Sequence, residues 1–296
     1  MPELPEIETV KLQLSKVLPG KVIEKVEVRN ERTVQGDPNS ICGKKIIEIR
    51  RKAKVLIVDF EEGMSMAFHF KMSGQLILDN DKNGETYTDR IVGGHPTTDF
   101  FGRLPSTHTR VIFYLGSAIL YFNDQRMFGW LKIGTTQEIE KEKFLMSLGP
   151  EPFAINANEF KQRIDGSKRP IKVVIMDQSV ISGVGNIYAN DALWEAKIHP
   201  QKPANRMSTE ECAELLSGIK LVLNEGIKFG GATAADAKYI DLHGLGGHYQ
   251  DHFRTYDREG KACLRNDGAK VLRIELGGRG TYFCPLCQKL GDESLF

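Results

Sequence analysis

MPELPEIETVKLQLSKVLPG, residues 1–20, places an amphipathic helix ahead of everything else in the chain. Ile7, Val10, Leu14, Val17 and Leu18 recur at helical spacing, which predicts a helix over 5–18 with one apolar face. Pro5 suits the first turn, where its missing N–H costs nothing, and Glu6 and Glu8 suit the positive end of the helix dipole. Pro19-Gly20 is a stop signal. Past it the apolar pattern changes to period two. Candidate strands run over 22–28, 45–51, 54–60, 65–70, 75–78, 110–115 and 118–122, with turns at Glu61-Glu62-Gly63, Ser73-Gly74 and Leu115-Gly116-Ser117. Many short strands behind one helix read as a β-sandwich with a flanking N-terminal helix. Residues 79–107 are polar with Gly and Pro, and are predicted to form a surface loop.

The same opening stretch carries chemistry. Removal of Met1 makes Pro2 a free secondary amine beside the Glu3 carboxylate. An α-amino group titrates at roughly 7.7–8.0, so a useful fraction is nucleophilic at neutral pH. Its attack on an aldehyde-like carbon gives a cationic iminium, which acts as an electron sink. By itself Pro-Glu-Leu-Pro-Glu reads first as a plain helix lead-in, and the rest of the chain has to decide.

After Leu148-Gly149-Pro150 the pattern is helical, with short helices predicted at 157–164 and 172–179. A longer one spans 208–229. It starts at a Ser208/Glu211 capping box, continues through Leu215, Leu216, Ile219, Val222, Leu223 and Ile227, and stops at Gly230-Gly231. Residues 231–252, rich in Gly, Ala, His and Asp, read as a mobile loop. The fold class is therefore α+β: a sandwich at 1–150, a helical domain at 151–252 and a small hairpin unit at 253–296, too short for a core of its own.

The 296 residues carry 40 basic and 39 acidic side chains, a net charge of +1, so bulk charge does not announce a nucleic-acid partner. Locally, GKKIIEIRRKAK at 43–54 has six basic groups against one acid, which fits either a solvated strand pair or a phosphate-facing surface. No apolar run reaches membrane length and no basic-then-apolar leader is present, so a cytoplasmic, membrane-free monomer is expected. Five cysteines do not make a disulfide framework. Cys212 lies on an apolar helix face and Cys42 before a turn. Cys284-Pro285-Leu286-Cys287 is a knuckle, and two short strands separate it from Cys263. Such a hairpin resembles a zinc ribbon, and structural Zn²⁺ takes four ligands. Asp267, followed by Gly268, is the best available fourth ligand, with closure by another group or a metal-free hairpin as alternatives.

Taken in order, PELPEIETV (2–10), RRKAKVL (50–56), HFKMSGQL (69–76), NDQRMFGW (123–130), LGPEPF (148–153), IKVVIMDQSVISGVGNIYANDALWEAKIHP (171–200) and GGRGTYFCPLCQ (277–288) resemble the bacterial formamidopyrimidine-DNA glycosylases. These are helix–two-turn–helix enzymes of base excision repair. The resemblance implies excision of oxidised purines, 8-oxoguanine and formamidopyrimidines, from damaged double-stranded DNA, followed by lyase nicking through β,δ-elimination.

It also implies residue roles. Pro2 is the Schiff-base nucleophile, Glu3 the acid/base at the sugar, and Lys54 assists proton transfer and contacts phosphate. Arg279 contacts the phosphates flanking the lesion. Met72, Arg126 and Phe128 form the wedge that fills the gap left by the flipped base. Asn186 and Lys172 contact phosphates, His108 and Lys168 contact the DNA, and the 231–250 loop closes over the base.

The chain departs from the family pattern at the first zinc knuckle, in the length of 79–107 and at Gln125, where proline is commoner. The rival readings are an endonuclease VIII-like enzyme for oxidised pyrimidines and a non-catalytic DNA-binding protein. Intact Pro2, Glu3, Lys54 and Arg279 argue against the second.

Overall fold

The computed structural model describes residues 1–80, 90–232 and 247–290. They divide into two compact units, Met1–Met146 with Phe229–Gln250, and Ser147–Lys228 with Asp251–Phe296.

The first unit opens with α1 (Leu4–Leu14), shorter than the 5–18 expected. The apolar spacing does continue, but past Leu14 the chain tightens into turns that still bury Leu18, whose N–H reaches the Leu14 carbonyl at 2.9 Å. Ten strands follow: β1 (Lys25–Val28), β2 (Val34–Gln35), β3 (Ile46–Lys52), β4 (Val55–Phe60), β5 (Met64–His69), β6 (Gly74–Asp79), β7 (Ile91–Gly94), β8 (Thr109–Leu115), β9 (Ala118–Asp124) and β10 (Trp130–Thr135). They form two five-stranded sheets, ordered β1-β8-β9-β6-β7 and β2-β10-β5-β4-β3. Only β2 with β10 is parallel. The inner faces meet in one core, where Phe68 sits edge-on to Phe113 with ring centroids 5.9 Å apart. Ile7, Val10 and Leu14 bring α1 into that core, each burial stabilising by about 1.5–3 kcal/mol. Two short helices, α2 (Thr136–Glu140) and α3 (Lys143–Met146), close the unit.

The segment expected to be a loop at 79–107 contains structure. β7 pairs with β6, and a 3₁₀ turn covers Thr98–Phe100. Two observations explain why the pattern missed it. The β7 sequence IVGG has no alternation, and it is half-buried against α1 rather than against a second sheet. That packing demands glycine: a Cβ on Gly93 would lie 1.9 Å from a Val10 methyl. Arg90 fastens the segment through a buried ion pair with Asp79 at 2.8 Å and a bond to the Gly102 carbonyl at 2.6 Å. β10 was also absent from the sequence expectation, and here the period-two burial is plain, with Leu131 and Ile133 inside.

The second unit holds α4 (Ala157–Ile164), α5 (Ile171–Ile175), α6 (Asn186–Glu195) and α7 (Thr209–Lys228). The helix expected over 172–179 is one turn and a half, and runs on into bonded turns at Asp177–Ile181. α7 begins at the expected capping box: Glu211 N–H donates to Ser208 Oγ, and Ser208 N–H donates to the Glu211 carboxylate. The hairpin is β11 (Leu272–Leu276) and β12 (Arg279–Phe283), joined by Gly277-Gly278. Both glycines have positive φ, as a two-residue turn of this hand requires. The loop expectation for 231–252 falls mostly on 233–246, outside the described residues. Among the described residues no helix is long and apolar enough to cross a membrane.

Candidate functional site

In the first unit the site starts at the α1 N-terminus. Glu3 is the N-cap, in extended conformation and 2% exposed. Its N–H donates to the Glu6 carboxylate at 2.7 Å, and its own side chain accepts from Glu6 N–H in a reciprocal capping box. The other Glu6 oxygen accepts from Ala232 N–H at 2.8 Å, so Glu6 ties Ala232 to the N-cap. Pro2 is buried directly before it. With Met1 attached its nitrogen is an amide, so nucleophilicity depends on Met1 removal.

Lys54 sits at the tight turn between β3 and β4, after Ala53 with φ 51°, and is 5% exposed. Arg51 latches that hairpin to α1 by donating to Glu8 at 2.7 Å and to the Ala53 carbonyl at 2.9 Å. Burial works to raise the Glu8 carboxyl, but bonds from Arg51 and Lys11 prevail and hold it below its ordinary range. The latch therefore fastens the hairpin of Lys54 to the helix that presents Pro2 and Glu3. His69, paired with Val55 across β4–β5, packs between Trp130 and Phe144 and accepts from Lys71 N–H at 3.0 Å. Burial first, then the Lys71 and Lys54 charges, push His69 down to about 3, so it is a neutral imidazole.

The expected wedge residues lie on two neighbouring turns. Met72 is half-buried on the turn between β5 and β6, and Arg126 and Phe128 are exposed after β9. The Arg126 guanidinium lies over the Phe128 ring at 5.0 Å. One buried carboxylate, Asp124, joins the two turns. It accepts from Ser73 Oγ at 2.5 Å, Gly129 N–H at 2.6 Å and Arg126 N–H at 3.2 Å. Sequence reasoning passed over Asp124. A charged residue closing the strongly apolar β9 was the available signal, because an acid at zero exposure has to be holding donors. His108 is half-exposed before β8, with Nδ1 3.0 Å from Asp99.

In the second unit Arg279 opens β12, exposed at the hairpin turn with no side-chain partner among the described residues. Lys168 is exposed before α5. Lys172 differs from the expectation of a backbone-touching lysine. It is fully buried, and its ammonium donates to Asn186 Oδ1 at 2.7 Å, Thr281 Oγ at 2.7 Å and the Gly280 carbonyl at 3.0 Å. Asn186 also donates to Gly280, and Asn190 accepts from Tyr282 N–H at 2.7 Å. These three side chains of α5 and α6 clamp β12 immediately behind Arg279. Asn190 too was missed by sequence reasoning.

Cys263, Asp267, Cys284 and Cys287 converge, their ligand atoms all within 4.8 Å of one another. Tetrahedral Zn²⁺ with Zn–S bonds near 2.3 Å needs ligand atoms about 3.8 Å apart, so the set fits the ion. The surroundings fit it as well. Trp194 Nε1–H points at Cys263 Sγ (3.4 Å) and Arg265 at Cys287 Sγ (3.3 Å), donors that suit metal-bound thiolates. Burial and the Asp267 carboxylate push the Cys284 thiol up to about 12, a conflict that a divalent cation among these groups would remove. The zinc is structural: it joins a knuckle to a hairpin that has little core of its own.

Family models match this chain in three places: the formamidopyrimidine-DNA glycosylase N-terminal domain at residues 1–131, the H2TH domain of the same enzymes at 148–238, and a zinc finger found in FPG and IleRS at 268–290. A formamidopyrimidine-DNA glycosylase of Pelotomaculum thermopropionicum is 36% identical over 98% of this chain and all of its own length. One of Roseobacter denitrificans is 34% identical over 98% of this chain and all of its own. Among solved structures, Lactococcus lactis Fpg bound to abasic-site DNA superposes with TM-score 0.82 at 28% identity, covering 98% of this chain and all of that one. Sandwich, helical domain and zinc finger thus define a DNA glycosylase of base excision repair, an enzyme acting on damaged DNA. The chain belongs to the formamidopyrimidine-DNA glycosylase family.

Proposed function

We propose that the enzyme excises oxidised purines, 8-oxoguanine and formamidopyrimidines, from duplex DNA and then nicks the strand as a lyase. Relatives from Lactococcus lactis have been captured on Fapy-dG and on abasic DNA, which supports this substrate class. The observation that carries the reading is the buried, capped Pro2-Glu3 terminus latched through Glu8 and Arg51 to the hairpin of Lys54.

The Pro2 nitrogen, freed of Met1, attacks C1′ as the bond to the base breaks. The base leaves with its electron pair and takes up a proton. Opening of the sugar gives a C1′ iminium, with Glu3 handling the proton at the ring oxygen. The iminium acidifies C2′. Loss of that proton expels the 3′ phosphate in β-elimination, and a second elimination expels the 5′ phosphate. Lys54 and Arg279 stabilise the negative charge on the leaving phosphates. Met72, Arg126 and Phe128 occupy the gap in the helix. Asn186, His108 and Lys168 hold the backbone, and Lys172 acts by positioning Asn186 and the Arg279 hairpin. The organisation is a catalytic domain at 1–150, a DNA-binding domain at 151–252 and a zinc hairpin at 253–296. Zinc takes no part in the chemistry.

Borohydride trapping with Met1-free protein tests this. A covalent adduct is expected with 8-oxoguanine opposite cytosine and none with Pro2→Gly; no adduct from the native terminus overturns the reading. Since the Lactococcus relative has also been captured on an oxidised pyrimidine, thymine glycol is the comparison substrate, and faster excision of it would favour the endonuclease VIII-like alternative.

A further inference from the structure

The segment at 90–104 has no part in the proposed chemistry, yet it is fastened with unusual care. Arg90 holds it from one side through Asp79 and the Phe100 and Gly102 carbonyls. Gln75 holds it from the other by donating to the His95 carbonyl at 2.5 Å and to Thr97 Oγ at 2.7 Å. The Phe100 ring is buried with Ile77, Ile112 and Tyr121 on the outer face of the sheet. These bonds flank the Asp99 side chain, which is 6% exposed. Thr97 caps its turn by accepting from Asp99 N–H at 3.2 Å. One carboxylate oxygen of Asp99 accepts from Asn123 Nδ2 at 3.1 Å and faces His108 Nδ1 at 3.0 Å.

His108 is fixed at its backbone as well. Its N–H donates to Ser106 Oγ at 3.1 Å. Its carbonyl accepts from the N–H of Asp124, the residue that gathers the two wedge turns, at 2.9 Å. The imidazole is therefore held on one ring nitrogen and on both backbone groups, beside the root of the wedge. Its other ring nitrogen, Nε2, has no protein partner among the described residues. As an imidazolium, with Nδ1–H donating to the Asp99 carboxylate, the ring still presents Nε2–H to an oxygen acceptor.

We propose that Asp99 is a positioning residue for DNA binding. It orients His108 so that Nε2 meets a backbone phosphate, and the 90–104 segment exists in this chain to place that carboxylate. This rests on the reading of His108 as a DNA-contacting residue. Asp99 itself touches no DNA; it acts through the ring. Carboxylates behind a ligating histidine fix ring orientation in the same way at metal sites.

The test uses full-length, Met1-free protein and duplex DNA carrying a tetrahydrofuran abasic analogue. Affinity is measured against salt, and single-turnover cleavage is measured on an 8-oxoguanine duplex. Asp99→Asn is expected to weaken binding about 3–10-fold, with the loss in affinity rather than in the rate at saturating enzyme. The slope of log affinity against log salt should fall by about 0.9, one phosphate contact. His108→Ala should do the same, and the double variant should bind no more weakly than His108→Ala alone. An Asp99→Asn loss that persists in the His108→Ala background signals general loosening of the fold and overturns the proposal. So does wild-type affinity for Asp99→Asn beside a weakened His108→Ala. Unchanged affinity for His108→Ala removes the histidine from the DNA and with it both readings. The ¹⁵N resonances of His108 in the DNA complex give a readout independent of activity: a ring protonated on both nitrogens is expected in the native protein and loss of that form in Asp99→Asn, and an unchanged ring form in Asp99→Asn overturns the proposal.

Discussion

Asp124→Asn tests the proposed wedge separately from the chemistry. The carboxylate accepts from Ser73 Oγ, Gly129 N–H and Arg126 N–H with no exposure to solvent. A hydrogen bond to a charged acceptor is worth about 1.5–3 kcal/mol, and to a neutral one about 1 kcal/mol. Asparagine keeps one oxygen for two of the donors, now at neutral strength, and turns its NH₂ toward the third. One charge-assisted bond is lost and two weaken, a cost of about 3–4 kcal/mol. At about 2–4 °C per kcal/mol the melting temperature falls by roughly 10 °C.

The functional loss should depend on the substrate. Flipping a base from a duplex costs a few kcal/mol, and a well-set wedge recovers part of it. A loosened wedge is therefore expected to lower kcat/KM about 10–100-fold on an 8-oxoguanine duplex. Cleavage of an abasic site in single-stranded DNA, where nothing has to be flipped, should change less than about threefold on the same scale. Assays run well below the lowered melting temperature compare the two substrates directly. Equal losses on both, or an unchanged melting temperature, would refute the view of Asp124 as the organiser of the wedge.

His69 gives a pH signature. Its folded-state pKa near 3 lies below the ordinary 6.5, so between those values the unfolded chain binds the extra proton and stability falls as pH falls. At about 1.4 kcal/mol per pH unit, roughly 2 kcal/mol should vanish between pH 6.5 and pH 5. Urea denaturation of His69→Phe should lack that component, and an identical pH slope would contradict it. Arg90→Met removes the ion-pair partner of the buried Asp79 carboxylate and is expected to cost about 3–5 kcal/mol, whereas Arg90→Met with Asp79→Leu should regain most of it in thermal melts. Asp267→Ala should lower zinc per chain or its affinity by elemental analysis and chelator competition; full retention against chelator would remove Asp267 from the ligand set.

Much of the fold was legible because its signals are local. The α1 face, the capping box at Ser208 and the Cys284/Cys287 knuckle each depend on residues within one or two turns of one another. What stayed hidden depends on contacts distant in sequence. Gly93 belongs in a strand because Val10 lies on its backbone, and nothing within 91–94 says so. Asp124 holds Ser73, 51 residues away. Lys172 was expected to contact phosphate, but its ammonium is enclosed by a strand more than a hundred residues later. Family motifs named the candidate residues of the site as a set, but they did not distinguish groups that reach outward from groups that hold others in place.

The hairpin bearing Arg279 is suspended at two ends. The knuckle and its metal ligands tie down one, and Lys172, Asn186 and Asn190 grip the strand at the other. Such a mounting fails gracefully. Stripping or oxidising the thiols should let the distal end swing while the arginine end keeps its footing. Metal loss should then act as a dimmer rather than a switch, with activity declining in proportion to how far the loosened end pulls on the clamp.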